Sequence, residues 1–248
     1  MITHGSLFAG IGGFDLGFHR LGIETLWQVE INPFCKQVLQ KNFPDTRRHN
    51  DVKEVGSYNL ESVDIISGGF PCQDISQAGK QAGIKDGTRS GLWFEYARII
   101  RELRPKYVVV ENVPNLLKNG IGQVLGDLAE IGYDAEWTCI RASDVGAPHR
   151  RERIFIVAYP DTGRLPHIFT SPWIYPFETP QSWESFRTTD REVWLTTECG
   201  LLRDDDGVSR ELDQRRLGAA GNSILPQICE IIGQRIVAGL EASNADRE

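Results

Sequence analysis

Between Ser6 and Tyr159 short apolar runs alternate with stretches of helical spacing, and this alternation restricts the chain to a sheet covered by helices. Ser6–Ala9 is an apolar run stopped by Gly10, Gly12 and Gly13, and Phe14–Leu21 follows at helical spacing up to Gly22. Leu26–Glu30 predicts a strand, and Asn32-Pro33 supplies a cap and first-turn pair for a helix reaching Asn42. Asp64–Ser67 predicts a short buried strand, Trp93–Leu103 a helix ended by Pro105, and Tyr107–Val110 a β-branched strand. Ile121–Ile131 predicts a helix stopped by Gly132, with further strands at Asp134–Ile140 and Ile154–Tyr159. The expected class is α/β, a mostly parallel Rossmann-like sheet with helices on both faces.

The pattern breaks at Pro160. From there to about Gly207 the chain is rich in Pro, Thr, Trp and charge, with no clear period. Trp173, Trp183 and Trp194 fall here, which argues for a loop-rich module and against a linker. Ile224–Leu240 returns to apolar helical spacing. The 248 residues suit one sizeable core with a small appendage. The expected division is a catalytic unit of residues 1–158 and 210–248, with 159–209 as a separate small region.

Composition narrows the class of function. The five cysteines are widely spaced and hold no Cys-x-x-Cys pair, so neither a disulfide framework nor a metal site is expected. No apolar run is long enough to span a bilayer, and MITHGSLFAG lacks the pattern of a signal peptide; a cytoplasmic protein is expected. The net charge of −7 counts mildly against nucleic acid. Phosphate contacts need only a local basic face, however, and Arg141, His149, Arg150, Arg151 and Arg153 lie close together.

Four motifs carry chemistry. In FAGIGGFDLGF, a glycine turn between strand and helix lets backbone approach a nucleotide-like ligand. Glu30, at the end of the next strand, suits a ribose diol, and Asp51 could accept from an adenine amine. In SGGFPCQDIS, Gly68, Gly69 and Pro71 shape a turn that presents Cys72 to a cleft, with polar Gln73, Asp74 and Ser76 beyond it. Gly79, Gly83, Gly87 and Gly91 then punctuate a polar stretch that could close over a substrate. In VVVENVPN, Glu111 ends a buried strand, where desolvation raises a carboxyl pKa. In APHRRERIFIVA, alternate Arg151 and Arg153 enter a strand on one face.

Taken in order, these motifs resemble the cytosine-C5 DNA methyltransferase family. The resemblance covers residues 6–158 and 210–240, including RSGLWFE and a C-terminal GNSILP. It implies S-adenosylmethionine as methyl donor, leaving S-adenosylhomocysteine. Phe8, Ala9, Gly10, Ile11 and Gly13 would line its site, Glu30 would hold the ribose, and Asp51 and Val52 would contact the adenine. Ile31, Pro71, Leu92, Asn222 and Ser223 would complete the pocket, the last pair bringing the C-terminal helix back beside the first strand.

The resemblance also implies the reaction. Cys72 would attack C6 of a flipped-out cytosine in double-stranded DNA, Glu111 would bond to or protonate N3, Arg153 would support the ring carbonyl, and Arg151 would help position that constellation. Gln73, Ser76 and Arg89 belong to the stretch expected to close behind the base. Arg164, Arg187, Arg191 and Arg203 are candidate DNA contacts in a target-recognition region, 159–209, that is unusually short and implies a short or relaxed target sequence. Departures are His149 where Gln is common, Ser6 where an acid is common, and Ile31 where an aromatic is common. RNA cytosine methylation and a non-catalytic DNA-binding relative are the alternatives. A monomer, a bacterial or phage setting and a possible restriction endonuclease counterpart complete the expectations.

Overall fold

The structure is a computed structural model that describes residues 1–71, 84, 91–147, 149–160, 168–169 and 223–245. Cys72, Gln73, Ser76, Arg89, Arg164, Arg187, Arg191, Arg203 and Asn222 lie outside the described residues. The elements are β1 (Thr3–Leu7), α1 (Gly13–His19), β2 (Glu24–Val29), α2 (Pro33–Asn42), β3 (Arg47–His49), β4 (Ile65–Gly69), α3 (Leu92–Leu103) and β5 (Tyr107–Asn112). They continue with α4 (Leu116–Asn119), α5 (Ile121–Ile131), β6 (Tyr133–Arg141), β7 (Glu152–Pro160) and a C-terminal helix, α6 (Pro226–Ala245). No helix among the described residues is long and apolar enough to cross a membrane.

The strands form one sheet in the order β3-β2-β1-β4-β5-β7-β6. The pairings from β3 through β5 are parallel, whereas β5–β7 and β7–β6 are antiparallel. Side chains alternate between two apolar layers as the pleat requires. Val108 and Val110 of β5, with Ile154, Ile156 and Ala158 of β7, face the layer containing α3 and α5. Tyr107, Val109, Phe155 and Val157 face the layer containing α1 and α6. Helices therefore cover both faces, as the sequence pattern requires.

The first strand lies three residues earlier than its apolar signal suggests. The run Ser6–Ala9 covers only the end of the strand and leads it out into the glycine turn, while the strand itself begins at Thr3 and contains His4 and Gly5. Its polar groups are buried because neighbouring elements satisfy them. His4 bonds through Nδ1 to Thr25 Oγ1 (2.9 Å) and through Nε2 to Ser67 Oγ (2.7 Å). Ser6 donates to Asp15 Oδ2 (3.1 Å), and Gln28 donates to Asp15 Oδ1 (2.8 Å). Position 6 therefore meets a carboxylate, that of Asp15 of α1, rather than carrying one.

This buried layer has a signature in pH. Burial pushes His4 down from 6.5 to about 3, and burial pushes Asp15 up from 3.8 to about 6 against its hydrogen bonds from Gln28 and Ser6. The His4 contribution is complete above its unfolded value and erodes as pH falls from 6.5 toward 3. The Asp15 contribution is complete below 3.8 and is lost as pH rises through about 6. Between these limits the two slopes oppose. Asp15→Asn removes one of them. Its unfolding free energy should therefore fall, relative to the parent, by about 1.4 kcal/mol per pH unit on acidification from pH ~6 to ~4. Urea unfolding across that range reads the effect, and parallel curves for the two proteins would contradict it.

The C-terminal helix packs where α1 has no side chains. A Cβ on Gly17 would meet Pro226 O at 2.5 Å and Cys229 Cβ at 2.6 Å, and one on Gly13 would meet Ile224 O at 2.5 Å. Gly13 and Gly17 lie four residues apart, on one face of α1, so the backbone of 224–230 lies directly on it.

Candidate active site

The parallel strands end along one edge of the sheet, and every described candidate group of the first half sits there. In spatial order the edge presents Asp51 after β3, Glu30 after β2, Phe8–Gly10 after β1, Phe70–Pro71 after β4, and Glu111 near the end of β5. The chain leaves β1 toward β2 on one side, while β4 and β5 lie on the other. The switch in direction therefore falls between β1 and β4, where open α/β sheets form a crevice.

The glycine turn is shaped by backbone strain and by Glu30. Phe8 (φ 51°) and Gly10 (φ 56°) occupy the left-handed region. Gly10 N donates to Glu30 Oε2 (2.7 Å) and Asn32 N donates to Glu30 Oε1 (2.7 Å). Glu30 therefore braces the turn as well as ending β2, and burial raises its carboxyl pKa. Beside it Ile31 is 67% exposed, a flat apolar surface at the mouth of the crevice. Among the described residues the space over Gly10 is open: Phe8 O, at 4.0 Å, is the one atom a Cβ there would approach. Asp51 caps the turn Val52–Glu54 by accepting from Lys53 N through Oδ1 (3.0 Å), while Val52 is buried.

Together these groups fit an adenosine-bearing ligand. The outer lone pairs of Glu30 can accept ribose hydroxyls, Ile31 can cover a base, and Oδ2 of Asp51 can accept an amine. Leu92, the first residue of α3, is partly buried against the same layer as Phe8. Ser223 directly precedes Ile224, which lies on Gly13.

On the other side of the switch the glycines of β4 make room for a carboxylate. A Cβ on Gly69 would meet Glu111 Oε2 at 2.5 Å. Glu111 Oε1 accepts from Arg153 Nε (2.9 Å), and Arg153 Nη1 donates to Glu152 O (2.8 Å). Burial raises the Glu111 pKa, outweighing the opposing pull of the Arg153 and Arg151 guanidiniums. The reversed direction of β7 creates this pair: because β7 runs antiparallel to β5, its first residues reach the edge where β5 ends. The alternate arginines at a strand entrance thus meet a carboxylate at a strand exit.

His149 accepts a hydrogen bond from Arg151 N at Nδ1 (3.4 Å), holding the approach to this strand. Asn112, which motif reading passed over, is 2% exposed and donates to Phe70 O (3.1 Å). It ties the end of β5 to Phe70, two residues before Cys72 in the chain. The triplet Glu-Asn-Val was the available signal, since an amide beside a strand-end acid is seldom needed for packing alone.

A model of the C-5 cytosine-specific DNA methylase family matches residues 2–196. The Type II methyltransferase M1.ScrFI of Lactococcus lactis subsp. cremoris is 42% identical over 158 residues, covering 62% of this chain and 40% of the relative. The Type II methyltransferase M2.BsuMI of Bacillus subtilis is 40% identical over 161 residues, covering 62% and 41%. The chain thus spans about 40% of the length of these curated relatives. Among solved structures, a prophage-encoded E. coli protein described as a DNA modification methyltransferase superposes with a TM-score of 0.56 at 27% identity, over 71% of this chain and 52% of that one. A DNMT2 of Spodoptera frugiperda shares the fold, with a TM-score of 0.56 at 23% identity over 72% of this chain and 53% of that one.

Proposed function

Because the chain belongs to the C-5 cytosine-specific DNA methylase family, we propose that it methylates C5 of cytosine in double-stranded DNA, with S-adenosylmethionine as donor. The observation that carries this reading is the Glu111–Arg153 pair, set across the sheet's switch point from the Glu30-braced glycine turn. Its two halves match the needs of the reaction: one side holds an adenosine, and the other holds a proton and a positive charge against a polar ring.

The donor supplies an electrophilic methyl group. Phe8, Ala9, Gly10, Ile11 and Gly13 form its backbone cradle, with Glu30 on the ribose and Asp51, Val52 and Ile31 around the adenine. Pro71, Leu92, Asn222 and Ser223 close the pocket. Cytosine C5 is a weak nucleophile, so Cys72 acts first. Its thiolate bonds to C6, the ring electrons move toward N3, and Glu111 hydrogen-bonds or protonates N3. Burial raises the Glu111 pKa and so favours the form that can donate this proton. Arg153, with Nε on Glu111 and Nη1 on Glu152 O, has Nη2 left for the ring carbonyl. Arg151 adds charge behind it. C5 of the enamine would then take the methyl group, leaving S-adenosylhomocysteine; a base would remove the C5 proton, whose electron pair re-forms the C5–C6 double bond as the C6–S bond breaks and the thiolate departs.

The target carbon is hidden in stacked DNA, so the base is flipped out. Gln73, Ser76 and Arg89 lie in the stretch that would close behind it. We assign residues 1–158 and 210–248 to methyl transfer and 159–209 to target recognition, with Arg164, Arg187, Arg191 and Arg203 as candidate contacts. Two described residues of that region, Ile168 and Phe169, are held by β6 and the C-terminal helix. Glu136 of β6 accepts from Ile168 N (3.1 Å) and Phe169 N (3.1 Å), and Arg235 donates to Ile168 O. A monomer acting in a bacterial or phage-infected cytoplasm, with or without a restriction endonuclease, follows from the same reading.

Transfer of a labelled methyl group tests it. Label should enter duplex DNA and not a tRNA transcript; entry into tRNA alone would overturn the choice of substrate.

A further inference from the structure

Helix α3 reaches across to the turn that carries Asp51. Arg98 Nη2 donates to Val52 O (3.1 Å) and to Val55 O (2.8 Å). Its Nε bonds Glu95 (2.8 Å) and its Nη1 bonds Glu102 (2.8 Å), carboxylates three residues before and four residues after it on the same helix. Glu102 in turn accepts from Ser57 N through Oε2 (2.9 Å). Three backbone groups between Val52 and Ser57 are therefore held by two side chains of α3. Gly56 permits this approach: a Cβ there would meet Glu102 Oε2 at 2.4 Å and Arg98 Nη1 at 3.1 Å.

The arrangement is more specific than a surface ion-pair network. The Arg98 side chain is 31% exposed, and at that exposure its carboxylate pairs contribute little by themselves. What they do is fix the guanidinium plane. One nitrogen then meets two carbonyls of a turn whose Val52 and Val55 side chains are buried. Lysine could carry the charge but not this fork. The same turn is capped by Asp51, so its position sets where the second Asp51 oxygen points.

We propose that Arg98 is a positioning residue for the adenine end of the donor pocket: it holds the Asp51–Val55 turn at the register in which Asp51 reads an exocyclic amine. This rests on the donor reading above. The consequence is selective. Loosening the turn leaves Glu30 on the ribose and the glycine cradle in place, and removes discrimination at the base.

The test measures binding of S-adenosylhomocysteine and of its hypoxanthine analogue, S-inosylhomocysteine, to the 248-residue chain by calorimetry. The parent should prefer the adenine ligand by about tenfold or more, the range of one hydrogen bond to a charged group. Arg98→Gln and Arg98→Lys should bind the adenine ligand more weakly and bring the two ligands to within about twofold of each other, an expectation of the same hydrogen-bond scale. Gly56→Ala, whose Cβ would displace the Glu102 carboxylate and crowd Arg98 Nη1 while leaving both side chains in place, should move discrimination the same way and serves if the Arg98 variants do not fold. Equal weakening for both ligands, with the preference intact, would overturn the inference and leave Arg98 a structural residue. A parent that binds neither ligand would overturn the donor reading itself, and a parent that binds both equally would overturn the role of Asp51.

Discussion

Glu111→Gln should lower methyl transfer by about a hundredfold to ten-thousandfold, the range for losing a positioned proton donor. Glutamine nearly preserves volume and can still accept from Arg153 through its carbonyl oxygen. It cannot deliver a proton to a ring nitrogen. Glu111 is buried beside Gly69, where a longer or branched replacement would strike β4, so the isosteric change isolates the chemistry. Glu30, Asp51 and the glycine turn stand on the other side of the switch point and should be untouched. Turnover should therefore collapse while donor affinity stays within about twofold, since Glu111 shares no hydrogen-bond partner with Glu30 or Asp51 among the described residues. Glu111→Ala is a poorer probe, because it leaves the Arg153 guanidinium beside a buried gap. A Gln variant that keeps near-parental turnover would remove Glu111 from the mechanism.

Much of this arrangement was legible in the chain because it rests on local rules. Glycine turns after strands, a cap at Asn32 and β-branched runs such as Tyr107–Val110 report their own geometry. Asn32 does accept from Phe34 N and Cys35 N as its position before Pro33 predicts. Other features depend on partners far along the chain. Thr3–Leu7 has no apolar signature, since His4 and Ser6 are buried only because Thr25, Ser67 and Asp15 answer them. Arg47–His49 is three charged or polar residues long and becomes a strand by pairing with Trp27–Val29. The sequence places arginines at a strand entrance, but only the antiparallel course of β7 brings Arg153 to Glu111. Arg98 reads as one more charge on an amphipathic helix until the carbonyls of Val52 and Val55 are seen beneath it.

Cys72→Ala should abolish transfer altogether, a larger effect than any other substitution in the chain. In the proposed reaction every step after donor binding begins with the bond from the thiolate to C6, and no other described cysteine can replace it. Burial raises the pKa of Cys35, Cys139 and Cys229, which keeps these thiols from forming the nucleophilic anion. Pro71 and the hydrogen bond from Asn112 to Phe70 O set the backbone from which Cys72 departs. The variant should fold and bind donor, because the change removes a single side-chain atom.

The bond itself can be captured. In a duplex carrying 5-fluorocytosine at the target, methylation leaves fluorine where the departing proton would be, so the thiolate cannot be expelled. With S-adenosylmethionine present, the parent chain should form a denaturation-resistant DNA adduct whose cross-linked peptide contains Cys72, and Cys72→Ala should form none. A parent chain that methylates duplex DNA without the adduct, or an adduct that survives in Cys72→Ala, would contradict the account.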